Sequence, residues 1–248
     1  MSTIPFEART SCEARPQSIL GTVDALLRDR AATQERIREG DDLAGFARAM
    51  LATIAVGAGS FGGAMGAWRG GLQIVLAGVK LPLVVLFTAA LCAPAASALN
   101  AAFDRRSDAR RDIALVLASL ALGSLVLAAL APVLLLADTL GVSYHAFILA
   151  IVGCCAIGGL AGVILLVRGL AADGARLLPV SLGLLAVFAL VGSQLAWSGR
   201  PWVTRPRTSG VVVLRAVDDQ SFLDSVARSL DSAAGNYSRE QAPVPGEE

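Results

Sequence analysis

Five stretches of about twenty mainly apolar residues fill the middle of this chain, and the charges that interrupt them fall almost entirely between them. A helix rising 1.5 Å per residue needs roughly 20 such residues to cross about 30 Å of hydrocarbon. The stretches 49–68, 81–99, 113–136, 144–167 and 177–197 meet that requirement. Of the 41 formal charges, 15 precede residue 49 and 13 follow residue 197, which leaves 13 for the long interior. An ordinary soluble domain is thereby excluded, in keeping with a charged fraction of 17% and a mean hydropathy of +0.64. The expected fold is all-α, a polytopic transmembrane helical bundle of about five spans with flanking amphipathic helices.

The flanks divide by composition. Residues 1–16 hold two prolines among small polar residues and are expected to be a disordered tail. Within 17–48, Ile19, Leu20, Val23, Leu26, Leu27 and Ile37 follow helical spacing with arginines and glutamates between them, which predicts an amphipathic helix before the membrane. It would pack on the rest of the protein or lie among headgroups. The N-terminus has no apolar core of a secretory signal, so insertion is expected through the first internal span. Residues 69–80 are apolar enough to touch lipid but too short to cross, and read as an interfacial or partly re-entrant helix leading into the second span. A sixth crossing there is the main rival topology. After the last span, 198–233 reads as a small appendage with a strand at VVVLR and a helix at DDQSFLDSVARSL, followed by a disordered tail over 234–248.

Orientation follows from arginine and lysine in short loops near span ends. Seven arginines precede the first span and four more follow the second, while ADTLGVSYH after the third has none. The N-terminus is therefore expected in the cytoplasm and, with five crossings, the C-terminus outside. Arg200, Arg205 and Arg207 at the end of span five oppose that parity. Arginine almost wholly replacing lysine, with abundant alanine, leucine and glycine, points to a GC-rich bacterial genome and so to a bacterial inner membrane.

The net charge of +1 lacks the concentrated basic face that displaces counterions from nucleic acid. Cys92, Cys154 and Cys155 lie in apolar runs and read as small core residues, and His145 is the sole histidine, so neither a disulfide framework, a metal site nor a cofactor is implied. No carboxylate pair, no serine with a histidine partner and no phosphate loop is present, and the five spans as drawn contain no Asp or Glu. Catalysis is not expected.

Two features remain. Gly59, Gly63, Ala67 and Gly71 form one i, i+4 row and Gly62, Gly66 and Gly70 a second beside it, and span four repeats the theme with Gly158 and Gly162. Such rows let helix backbones approach closely within a bundle, across a dimer seam, or around a permeation path. Arg69, Gln73 and Lys80 would share a face if 69–80 were helical, and the five-span plan puts Asp138, Tyr144, His145, Gln194 and Arg200 at the same membrane level. These residues are candidates for contact with a lipid headgroup or small anion, for an ion pair with Asp138, or for plain interfacial anchoring. Pro82 would sit harmlessly in the first turn of span two, whereas Pro94 and Pro132 would lie inside spans.

The stretches RGGLQIVLAGVKLPLVVLFTAALCAPAASALN (69–100) and GSQLAWSGRPWV (192–203), the latter followed by LRAVDDQSFLDSVARSL, resemble a family of small bacterial polytopic membrane proteins that look Yip1-like. The resemblance covers about a quarter of the chain. It implies a scaffold in membrane organisation or trafficking with no catalytic residues. The expected role is non-enzymatic, an integral membrane protein that binds lipid or other membrane proteins, or itself, through the glycine rows. The alternative is a transporter or channel for a small anionic solute using Arg69 and Lys80.

Overall fold

The computed structural model describes residues 18–102, 108–171, 182, 183, 185–190 and 192. Six helices are delimited: α1 Ile19–Arg28, α2 Arg30–Glu39, α3 Leu43–Ala67, α4 Leu72–Ala102, α5 Ala109–Thr139 and α6 Tyr144–Ala171. No strand occurs among the described residues, and the protein is an all-α helical bundle. Four of the helices, α3 to α6, are long and apolar enough to cross a bilayer, which makes this a multi-pass membrane protein. The described residues of the fifth expected span, 177–197, are helical, and Phe188 packs against the core; the rest of that span and the whole 198–248 region lie outside the described residues.

The spans alternate in direction. One end of the bundle, here called basal, carries α1, α2, the start of α3 and α5 and the end of α6. The other, distal, carries the α3–α4 and α5–α6 turns. Helix α5 is central, with 61% of its most apolar window buried against 22% for α4 and 28% for α6. It packs between α3 and α6, and α4 lies chiefly on α3. Two apolar layers result. The basal one joins Leu26 and Ile37 of the first two helices to Phe46, Met50, Ile54, Leu122 and Leu165. The distal one gathers Phe61, Met65, Leu134, Phe147 and Ile151.

Helix boundaries depart from hydropathy where capping decides them. The single amphipathic helix expected to end near Gly40 is two helices, α1 and α2. Asp29, at φ −130° and ψ 78°, ends α1, and its carboxylate accepts the Ala32 N–H at 2.9 Å to start α2. Gly40 then ends α2 at φ +83°, a left-handed conformation that glycine adopts without Cβ strain. Asp42 caps α3 by accepting the Gly45 N–H at 3.0 Å. The first span therefore begins at Leu43 rather than at residue 49, because exposed Arg48 interrupts the hydropathy and not the helix.

The reading of 69–80 as a separate interfacial helix is corrected. Gly70 and Gly71, at φ +72° and +58°, form the α3–α4 turn, and from Leu72 a single helix runs through to Ala102. Arg69 belongs to the turn and not to the face that carries Gln73 and Lys80. Pro82 is not in a first turn either; it stands eleven residues into α4 and is buried. Its missing N–H frees the carbonyl of Gly78, and that carbonyl faces Gly59 of α3, 3.3 Å from where a Cβ would stand. Helix α5 extends over Ala109–Thr139, so it does contain acids, Asp112 in its first turn and Asp138 in its last.

Candidate functional site

The described glycines of the spans include a set at helix seams. A Cβ at Gly66 would stand 2.5 Å from the Gln73 carbonyl oxygen, and one at Gly62 would run into the carbonyl of Ala77. Together with the facing pair Gly59 and Gly78 they form an antiparallel α3–α4 seam at backbone contact. On the other side of α3, a Cβ at Gly57 would lie 2.7 Å from the Ser124 carbonyl oxygen of α5. The α5–α6 seam repeats the device. Gly123 and Gly158 face each other's carbonyls, at 2.9 and 3.1 Å from the Cβ positions, and Gly162 would meet the Ser119 carbonyl at 2.7 Å. The two rows on α3 are not equivalent: Gly63 would meet only Ile74 at an ordinary 3.8 Å, and Gly70 is a turn residue with open space around it.

Three buried hydroxyls within these helices donate locally. Thr53, Thr88 and Ser119 each donate to the carbonyl four residues earlier at 2.8 Å, so their protons are committed within their own helices.

At the distal end the ring of Trp68 stacks on Phe147 with centroids 4.4 Å apart and an interplanar angle of 26°. This ties the end of α3 to the start of α6. Tyr144 and His145 meet edge to face at 5.6 Å beside it. Arg69 is half-buried in the turn, Gln73 is buried in the first turn of α4, and Lys80 is half-buried two turns further along. Asp138 and Tyr144, also half-buried, flank the opposite turn. The structure thus places Arg69, Gln73, Asp138, Tyr144 and His145 at one end of the bundle; Gln194 and Arg200 lie outside the described residues.

The basal end is where the described arginines concentrate: Arg28, Arg30, Arg36, Arg38, Arg48, Arg110, Arg111 and Arg168. Arg36 organises part of it. Its guanidinium covers the Phe46 ring at 5.6 Å, donates to the Asp41 carbonyl at 3.3 Å and pairs with the Asp42 carboxylate at 3.4 Å, fixing the turn into α3. The neighbouring carboxylate Asp112, buried at the start of α5, was hidden from the sequence reading because the third span was drawn from residue 113. The low hydropathy of RRD masked a helix that its Asp108 cap, accepting the Arg110 N–H at 3.1 Å, starts four residues earlier, at Ala109.

Among the described residues no cluster of three histidine, cysteine or acidic side chains has a metal-binding arrangement.

Compared with known protein families, curated proteins and solved structures, the chain finds no significant match. The functional reading therefore rests on the geometry.

Proposed function

We propose that this protein is a non-enzymatic membrane scaffold or accessory factor, which holds partner membrane proteins or lipid against its helices. The observation that carries the reading is the closure of its seams. At Gly57, Gly62, Gly66, Gly123 and Gly162 the facing backbones leave no room for one methyl group, so the glycine rows serve packing between helices and not a solute path. The outward faces of α4 and α6 are broad and aliphatic, with Val75, Val79, Leu83, Phe87, Ile157 and Leu160 exposed, and these are the surfaces offered to lipid or to other helices. The resemblance to the Yip1-like group agrees with such a role in membrane organisation or trafficking. The arginine-rich basal end supports a cytoplasmic N-terminus in a bacterial inner membrane.

The competing reading is carriage of a small anion past Arg69 and Lys80. The double variant Arg69→Gln/Lys80→Gln separates the two in proteoliposomes. For a scaffold, neither the wild type nor the variant passes anions above the protein-free leak, and the variant loses co-purifying lipid or protein. Anion flux in the wild type that the variant abolishes would overturn the scaffold reading.

A further inference from the structure

Helix α1 is apolar over more of its circumference than the other described residues cover. At about 100° per residue, Thr22, Leu26, Ile19, Val23, Leu27 and Leu20 occupy in that order a continuous arc of about 160°. Thr22 and Leu26, at one edge of the arc, are buried against the bundle. Of the remainder Val23 is half-buried and the other three are open: Ile19 is 53%, Leu20 80% and Leu27 48% exposed. The opposite side carries Asp24 and Arg28, paired at 2.7 Å and both exposed. Helix α2 differs. Its buried residues Thr33 and Ile37 form one narrow stripe, and Gln34, Glu35, Arg36, Arg38 and Glu39 fill the rest of its surface.

The two helices are not remote from the membrane. Leu26 and Ile37 belong to the same core as Phe46 and Met50 in the first two turns of α3. The Gln34 side-chain amide donates to the Leu165 carbonyl at 3.4 Å, six residues and so about 9 Å before the end of α6. The α1–α2 pair is thus held against the basal ends of α3 and α6, the ends that a bilayer of about 30 Å hydrocarbon centred on these helices would leave near its headgroups. Lipid surrounds the bundle there unless something displaces it. An uncovered aliphatic flank at that depth, backed by a charged face, has the form of an interfacial helix.

We infer that α1 lies in the basal leaflet, with Leu20, Val23 and Leu27 at the acyl-chain boundary and Arg28 and Arg30 at the phosphates. It would act as a float that sets the height and tilt of α3 in the bilayer. The inference requires only that α3 to α6 cross the membrane and does not depend on the scaffold reading.

Nitroxide labels at Leu20→Cys, Leu27→Cys and Glu35→Cys, introduced singly after replacement of the native cysteines and reconstituted in phosphatidylcholine–phosphatidylglycerol vesicles, test it. Positions 20 and 27 are expected to collide several-fold more with oxygen than with a water-soluble nickel chelate, and position 35 to show the reverse. Equal nickel access at all three would overturn the proposal. So would dipolar broadening at position 20 that vanishes on dilution with unlabelled protein, since a second copy and not lipid would then cover the flank. A second measurement leaves the native cysteines in place: Leu20→Trp should add emission that lipids brominated near the headgroup quench and iodide does not. Quenching by iodide alone would refute the inference.

Discussion

Gly66 and Gly63 stand three residues apart on α3, and the structure assigns them opposite tolerance to a methyl group. At Gly66 the added carbon would lie 2.5 Å from the Gln73 oxygen and 2.8 Å from the Ile74 Cα, both backbone atoms that cannot rotate away. Ordinary contact needs about 3.5 Å or more, so α3 and α4 must separate locally by about 1 Å, and a gap of that size forfeits a quarter to a half of each dispersion well along the seam. Overpacking of this kind costs roughly 1–3 kcal/mol. Gly63→Ala meets only Ile74 at 3.8 Å and gains about 1 kcal/mol of helix propensity at no steric cost. The propensity gain is common to both substitutions and cancels between them. Gly66→Ala and Gly62→Ala should therefore each be less stable than Gly63→Ala by about 1–3 kcal/mol, roughly a five- to 150-fold difference in unfolding constant. Unfolding in mixed micelles with increasing dodecyl sulfate, followed by helicity and by Trp68 emission, measures it. Equal midpoints for the three variants would refute the claim that the α3–α4 seam is closed at backbone contact.

Three further outcomes follow from single contacts. Trp68→Ala should destabilise the distal end by about 3–5 kcal/mol through lost burial and stacking on Phe147, and Trp68→Phe by much less, in the same micelle titration; indistinguishable midpoints would show that the stack does not tie α3 to α6. Asp42→Ala removes the α3 cap and keeps a Cβ at φ 40°, for a cost of about 1–2 kcal/mol, whereas Asp42→Gly loses the cap but relieves the backbone and should cost less, about 1 kcal/mol at most. Amide exchange across 43–48 reads the difference. Gly70→Ala and Gly71→Ala have open space but left-handed φ, so each should cost about 1–2 kcal/mol by thermal melting, whereas Gly159→Ala, also in open space but within α6, should be neutral or stabilising.

How far the sequence could be read depended on what each boundary is made of. Hydropathy located all four described spans because burial in lipid selects for it, and α6 begins at Tyr144 as expected. It misplaced the starts of α3, α4 and α5, since those are set by Asp42, by the glycine turn and by Asp108, which are polar or neutral residues with no hydropathic signature. The break at Asp29 was invisible for a similar reason: the helical spacing of Leu26 and Ile37 continues across it, and only the backbone turns. Small residues announced close packing but not its partner. Spacing alone put Gly59, Gly62, Gly63 and Gly66 on two adjacent rows, and only the position of α4 distinguishes Gly62 and Gly66 at backbone contact from Gly63 at ordinary distance.

The continuity of α4 also bears on what its lysine does. Lys80 is eight residues, about 12 Å, from the start of a helix whose 31 residues measure about 46 Å, against about 30 Å of hydrocarbon. A helix centred in the bilayer would project about 8 Å at each end, which puts the Lys80 Cα only about 4 Å inside the apolar layer. Helical Cβ bonds tilt toward the N-terminus, and the N-terminus of α4 is the distal surface. A four-methylene stem starting at that depth and leaning that way is long enough to bring its ammonium group to the headgroups. Placed so, the lysine costs little and does not require a solute as company. Lipid phosphate can neutralise a cation at that level without a transported anion, so Arg69 and Lys80 do not by themselves argue for a carrier.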